Sequence, residues 1–175
     1  ENFYHKLTGA HLQPILDTIR YAVHETDCWV ELTNLLIPET NDDADDLKRM
    51  IDWILSEVGC DVPIHFTAFH PDFQMWDIPA TSHDSLSHAH DTALHAGLKY
   101  VYVGNVHDVG RQTTYCPNCR EPVIQRDWYQ LTAYNLDINR CGKCDFRIPG
   151  RFETEAGNWG RRRQPITIEP SNTTT

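Results

Sequence analysis

Trp29–Phe69, WVELTNLLIPETNDDADDLKRMIDWILSEVGCDVPIHFTAF, decides the fold class. It opens with a nearly continuous apolar run, Trp29 to Ile37, the mark of a strand buried on both faces. Asn41 to Asp46 then supplies an N-cap and an acidic first turn, which the helix dipole favours. Leu47, Ile51, Ile54, Leu55 and Val58 recur at helical spacing, and Gly59 can end the helix in the left-handed conformation. Ile64 to Phe69 is a second strand. Strand, helix and strand in that order imply two parallel strands joined by a right-handed crossover.

The same pattern extends on both sides. Upstream, Leu12, Ile15, Leu16, Ile19, Ala22 and Val23 fall on one helix face, with Pro14 in the first turn where a missing N–H costs little. Downstream, Leu86, Ala89, Ala93 and Leu94 mark a helix that Gly97 ends, and Tyr100 to Val103 is a third strand. The strands start near 29, 64 and 100, a period of about 35 residues that fits a repeating β/α unit. Three parallel strands leave open edges, so the expected completion is a βα barrel of which residues 1–110 hold the last portion. Chemistry in such barrels sits at the carboxyl ends of the strands. There the chain places "IPETNDD", "AFHPDF" and "GNVHD". His65 and Thr67 alternate within the second strand and can point inward. One reading makes His65, His70, Asp72 and His107 a metal-dependent hydrolase site, which requires their side chains to converge.

Residues 111–150 read as a second unit. Cys116 and Cys119 form one CxxC pair, Cys141 and Cys144 another, with 21 residues between. Two thiolates at this spacing face one point, and the double pair is a four-cysteine metal pattern with a slightly long insert. Pro117 and Gly142 favour the tight turns of such knuckles. Pro122 to Ile124 and Asp127 to Thr132 are strand-like runs. Together these predict a zinc ribbon with a closed, structural site. Iron fits the same four-sulfur cage. Residues 151–175 form a tail containing Arg161-Arg162-Arg163.

Composition sets outer bounds. The chain has 175 residues, 40% of them hydrophobic, enough for one ordinary domain and a small module. A net charge of −10 argues against a dedicated nucleic-acid binder, which carries a basic face. No apolar run approaches the ~18 residues of a membrane span, and the expected location is cytoplasmic. The first residue is Glu1 rather than Met, as expected of a processed chain or a piece of a longer one.

"FYHKLTGAHLQPILDTIRYAVHETDCWVELTNLLIPETND", "PIHFTAFHPDFQM", "YVYVGNVHD", "TYCPNC", "RCGKC" and "GNWGRRRQPI" together resemble the carboxyl-terminal half of the AmmeMemoRadiSam-system radical SAM enzymes. These are relatives of the glycyl-radical-enzyme activating enzymes. The resemblance runs from about residue 2 to about residue 168. It implies the carboxyl-terminal part of a radical SAM partial barrel with parallel strands, followed by the ribbon. It implies S-adenosylmethionine and a 4Fe–4S cluster as cofactors, a 5′-deoxyadenosyl radical, and a flavodoxin- or ferredoxin-like reductant. Partner proteins of the AmmeMemoRadiSam system are implied too. His70 matches a cofactor-contacting histidine. The resemblance also places backbone groups of Ala68 and Phe69 at the adenine edge, with Thr33 and Ile37 as further contacts. Two departures stand out. The C-x3-C-x2-C cluster motif is absent, so the cluster ligands are expected on a missing front half, and this chain alone is expected to be inactive. Glu39 stands where such relatives often carry glycine. A remaining alternative is a zinc-ribbon interaction module on an inactive scaffold.

Overall fold

Asp43 starts the helix that joins the first two strands. Its carboxylate accepts from the backbone N–H groups of Asp45 and Asp46 at 3.0 and 2.9 Å. This satisfies two donors that a helix start leaves open. The computed structural model, which describes residues 2–157, runs this helix, α3, over Ala44–Glu57. The shorter α1 (Asn2–Thr8) and α2 (Leu12–His24) precede it. Gly59 closes α3 as the sequence predicts: its φ is +105° and its N–H reaches the Ile54 carbonyl at 2.8 Å.

Helix α3 connects β1 (Leu32–Leu36) to β2 (Ile64–Ala68), and α4 (His83–Ala96) connects β2 to β3 (Val101–Gly104). All three strands are parallel, in the order β1-β2-β3. Leu36, Ile64, Phe66, Val101 and Val103 share one sheet face. They pack with Leu47, Ile51 and Ile54 of α3, with Leu86, Ala89 and Ala93 of α4, and with the edges of Ile19 and Val23 from α2. Phe66 is fully buried at the centre. Truncating such a residue to alanine costs about 3–5 kcal/mol.

The opposite face carries Thr33 and Leu35, His65 and Thr67, Tyr102 and Gly104 in register. A strand buried on both faces, expected over Trp29–Ile37, is therefore not what forms. β1 is five residues long and one-sided, with Thr33 exposed and Leu35 43% exposed. It lies at the edge of the sheet, and apolar helix faces cover only its other side. The described residues make a mixed α/β chain with a three-stranded parallel sheet, not a closed barrel.

After α5 (Val109–Gln112) the chain becomes antiparallel. β4 (Thr114–Tyr115), β5 (Pro122–Asp127) and β6 (Gln130–Tyr134) form one small sheet, and β7 (Leu136–Asp137) with β8 (Arg140–Cys141) forms a hairpin. The run Asp127–Thr132, expected as a strand, instead turns a corner. β5 ends at Asp127, β6 begins at Gln130, and Trp128 has φ +54°.

This unit has its own core of Cys116, Val123, Ile124, Leu136, Cys141 and Ile148, and Tyr100 is buried in it. Tyr102 of β3 joins from the sheet face that the helices leave uncovered, its hydroxyl 2.9 Å from Thr114 Oγ1. Beyond Gly150 the chain returns to the same body: Arg151 Nη2 donates to the Asp27 carbonyl and the Tyr134 hydroxyl to the Glu153 carbonyl, at 2.6 and 2.7 Å. The Arg161-Arg162-Arg163 cluster, most of the GNWGRRRQPI stretch and the rest of the tail lie outside the described residues.

Candidate metal centre

The two CxxC knuckles are the same turn built twice. In the first, the Cys116 N–H donates to the Glu121 carbonyl at 2.8 Å and the Arg120 N–H donates back to the Cys116 carbonyl at 2.9 Å. In the second, the Cys141 N–H donates to Phe146 and the Asp145 N–H to Cys141, both at 2.9 Å. Each turn requires a left-handed residue after its second cysteine, Arg120 with φ +62° and Asp145 with φ +60°. Lys143 of one knuckle pairs with Glu121 beside the other.

These turns aim four sulfurs at one point. Cys116 Sγ lies 3.6 Å from Cys144 Sγ, and Cys119 Sγ lies 3.7 Å from Cys141 Sγ. All four lie within 4.8 Å of one another. A tetrahedral site with metal–sulfur bonds of about 2.3 Å has sulfur–sulfur edges of about 3.8 Å. The spacing suits that geometry and is far too long for disulfides, and all four cysteines are free. The four could hold one metal ion such as zinc. No fifth position is needed, so the arrangement suits structure rather than chemistry.

Local donors prepare one of the sulfurs. The Asn118 side-chain amide, 3.5 Å from Cys144 Sγ, and the Phe146 backbone N–H hold the Cys144 thiol down at about 6. Burial pushes the Cys116 thiol up. N–H donors to sulfur favour the thiolate, the form that binds metal. Reading the sequence for ligands alone misses Asn118. Its only signal is an amide of suitable reach between two knuckle cysteines.

The strand ends show a different picture. Ile37 N–H donates to Asn41 Oδ1 at 2.7 Å, and the Ile37 carbonyl accepts from Thr40 and Asn41. Phe69 N–H donates to Thr81 Oγ1 at 2.8 Å, and its carbonyl accepts from Thr81 N–H at 3.0 Å. The Ala68 carbonyl accepts from Asn105 Nδ2 at 3.2 Å. Much of the main chain here is thus already engaged. His70 is exposed, and its Nδ1 donates to the Pro71 carbonyl at 2.9 Å, leaving Nε2 to meet another group. Thr33 sits on the uncovered sheet face four residues before Ile37, about 13 Å along the strand. It is not brought together with His70.

The hydrolase set does not converge. His65 Nε2 lies 2.9 Å from Glu31 Oε2, and its ring stacks on Tyr102. Asp72 accepts from the Phe73 N–H, and His107 Nε2 lies 3.0 Å from Asp127 Oδ1. Among the described residues, the four cysteines are the only group of three or more His, Cys, Asp or Glu side chains placed to share a metal. Glu31 itself was not legible as a partner of His65: the two are 34 residues apart and meet only across neighbouring strands.

No family model matches the chain, and no solved structure matches it. The chain is 41% identical over 149 residues to Uncharacterized protein MJ0808 of Methanocaldococcus jannaschii. The match covers 84% of this chain and 44% of that protein, so the chain spans less than half the length of this relative. Among the described residues no helix is long and apolar enough to cross a membrane.

Proposed function

We propose that the chain is the carboxyl-terminal part of a radical S-adenosylmethionine enzyme, ending in a structural zinc ribbon. The observation that carries this reading is the one-sided parallel sheet. Helices cover one face, and β1 sits at the edge of the β1-β2-β3 order. Strands from a preceding half would pair with that edge, and the uncovered face with His65 and Thr67 would line a barrel interior. The length relation to the archaeal relative supports the same reading, and the near-tetrahedral sulfur spacing supports zinc.

The residues present do not fit the iron–sulfur cluster. Outside the four-sulfur centre only Cys28 and Cys60 remain, too few for a three-thiolate set. The cluster ligands would belong to the preceding half, which would draw electrons from a flavodoxin- or ferredoxin-like reductant. S-adenosylmethionine fits better. When bound, it supplies hydrogen-atom abstraction after reductive cleavage. This chain's part would be to position it: His70, whose Nε2 is not used by the protein, would meet a polar group of the cofactor, while Ile37, Ala68 and Phe69 would form the adjoining wall. Asn41, Thr81 and Asn105 hold that wall rigid through the hydrogen bonds described above.

The test is made on the longer parent. Its upstream reading frame should carry C-x3-C-x2-C. After anaerobic reconstitution and reduction it should release 5′-deoxyadenosine from S-adenosylmethionine, and this chain alone should release none. A parent without the motif and without that product contradicts the proposal. A second reading, an interaction module on an inactive scaffold, draws on the hairpin tip: Trp128 is 41% and Tyr129 72% exposed. Such exposed aromatics suit a protein partner.

A further inference from the structure

Charge is divided unevenly along the chain. Residues 1–110 hold eighteen Asp and Glu against five Lys and Arg, thirteen negative charges in excess, whereas residues 111–150 hold four against six. The choice of residue is lopsided too: the whole chain has sixteen Asp and only four Lys. Seventeen of the eighteen carboxylates in residues 1–110 lie among the described residues, and none of them is buried. The excess is therefore a property of the surface of the β/α unit.

The few cations of this unit are already taken. Arg20 pairs with Asp17 and Glu57, Lys48 with Asp52, Arg49 with Asp46, and Lys99 with Asp61. Glu39, Asp42, Asp45, Asp72, Asp77 and Asp84 have no Lys or Arg partner among the described residues. All six lie in the loops after β1 and β2 or in the first turns of α3 and α4. β1 and β2 are paired neighbours, so like charges crowd one edge of the sheet. The helix dipoles favour Asp45 and Asp84 singly, but they do not relieve repulsion between one loop and the next. The body that carries this rim is thinly held, because its helices cover one face of the sheet only.

A large net charge of one sign works against the compact state through self-repulsion, and halophilic proteins use that lever. Salt removes the penalty. Two exposed charges about 10 Å apart keep roughly a third of their repulsion at about 0.1 M salt and roughly a thirtieth at about 1 M. We propose that this chain is built to work in molar salt: the acidic β/α unit is fully stable only where its rim is screened, and it loosens ahead of the cysteine-bearing unit as salt falls. Screening needs no bound ion, so sodium and potassium serve alike. The property holds whichever chemistry the longer parent performs.

The test is urea unfolding of the full zinc-loaded chain near neutral pH, in KCl and in NaCl, at about 0.1 M and about 1 M. The urea midpoint should rise by about 1 M with salt, equally in the two salts. Amide exchange should slow more in α3 and α4 than in β5. A variant combining Glu39→Gln, Asp42→Asn and Asp77→Asn separates screening from salting-out. Salting-out acts on apolar surface and would raise both chains alike. Screening predicts a smaller rise in the variant, and a variant more stable than the parent at about 0.1 M salt. A midpoint that stays flat or falls with salt overturns the proposal, as does an equal rise in parent and variant. Protection gained mainly at β5, or a requirement for one cation over the other, overturns it as well.

Discussion

Arg120 and Asp145 occupy equivalent places in the two knuckles: each follows the second cysteine, each has φ near +60°, and each donates its N–H to the carbonyl of the first cysteine at 2.9 Å. A left-handed conformation costs a residue with a Cβ about 1–2 kcal/mol. Part of that cost returns as conformational freedom when glycine is substituted. Arg120→Gly should therefore stabilise the metal-loaded chain by about 0.5–1 kcal/mol, read as a higher urea midpoint. Arg120→Val, β-branched at positive φ, should lower it. Asp145→Gly is the less clean variant, because it also removes the ion pair to Arg140.

Removing one ligand tests how far the metal organises the fold. Cys119→Ser should lose the metal and disorder roughly residues 115–150, since the core there is small and metal binding supplies folding energy. Tyr100 and Tyr102 pack into that core. The loss should therefore reach β3, seen as faster amide exchange at Val101–Gly104, while α3 stays protected.

Acid should act through Glu31. The His65 hydrogen bond, aided by Trp29 and offset by burial, holds its carboxyl below the ordinary value of 4.5. A depressed folded-state value means that the contribution to stability is complete above pH 4.5 and is lost as pH falls through the folded value. The group is half exposed, so the effect is small. Glu31→Gln should flatten the difference in urea midpoint between about pH 6 and pH 3 relative to the parent.

In the longer parent, His70→Ala should weaken S-adenosylmethionine binding by about ten- to a hundredfold, the worth of one hydrogen bond to a charged or ribose group. The cluster's iron content and spectrum should stay intact. His70→Gln should recover part of the affinity. Calorimetry on the cluster-loaded parent decides it. Unchanged affinity with abolished turnover would move His70 to substrate chemistry.

The repeating β/α order was legible because periodicity and caps act locally: Asp43, Gly59 and Gly97 each do what their residue type predicts. Faces were less legible. An apolar run such as Trp29–Ile37 reports hydrophobicity, not which layers exist to cover it, so Leu35 reads as core and stands exposed. Trp128 and Tyr129 have high strand propensity, yet they form the turn between β5 and β6, where hairpin register overrides propensity. Glu39 takes φ +60° after Pro38, a conformation more natural to glycine that the residue type itself does not announce. The cysteines were legible as a metal pattern from spacing alone. The contacts of Tyr102 with Thr114 and Arg126 were not, because they form only after the second unit docks on β3.

The most direct measurement is on the metal. Chain purified without added metal should carry one zinc per molecule, and zinc-edge X-ray absorption should show four sulfur neighbours at about 2.3 Å. Cys119→Ser should abolish both signals. An iron-filled site with rubredoxin-like colour, nitrogen or oxygen in the first coordination sphere, or disulfides within the Cys116–Cys119 and Cys141–Cys144 pairs would contradict the four-thiolate zinc centre.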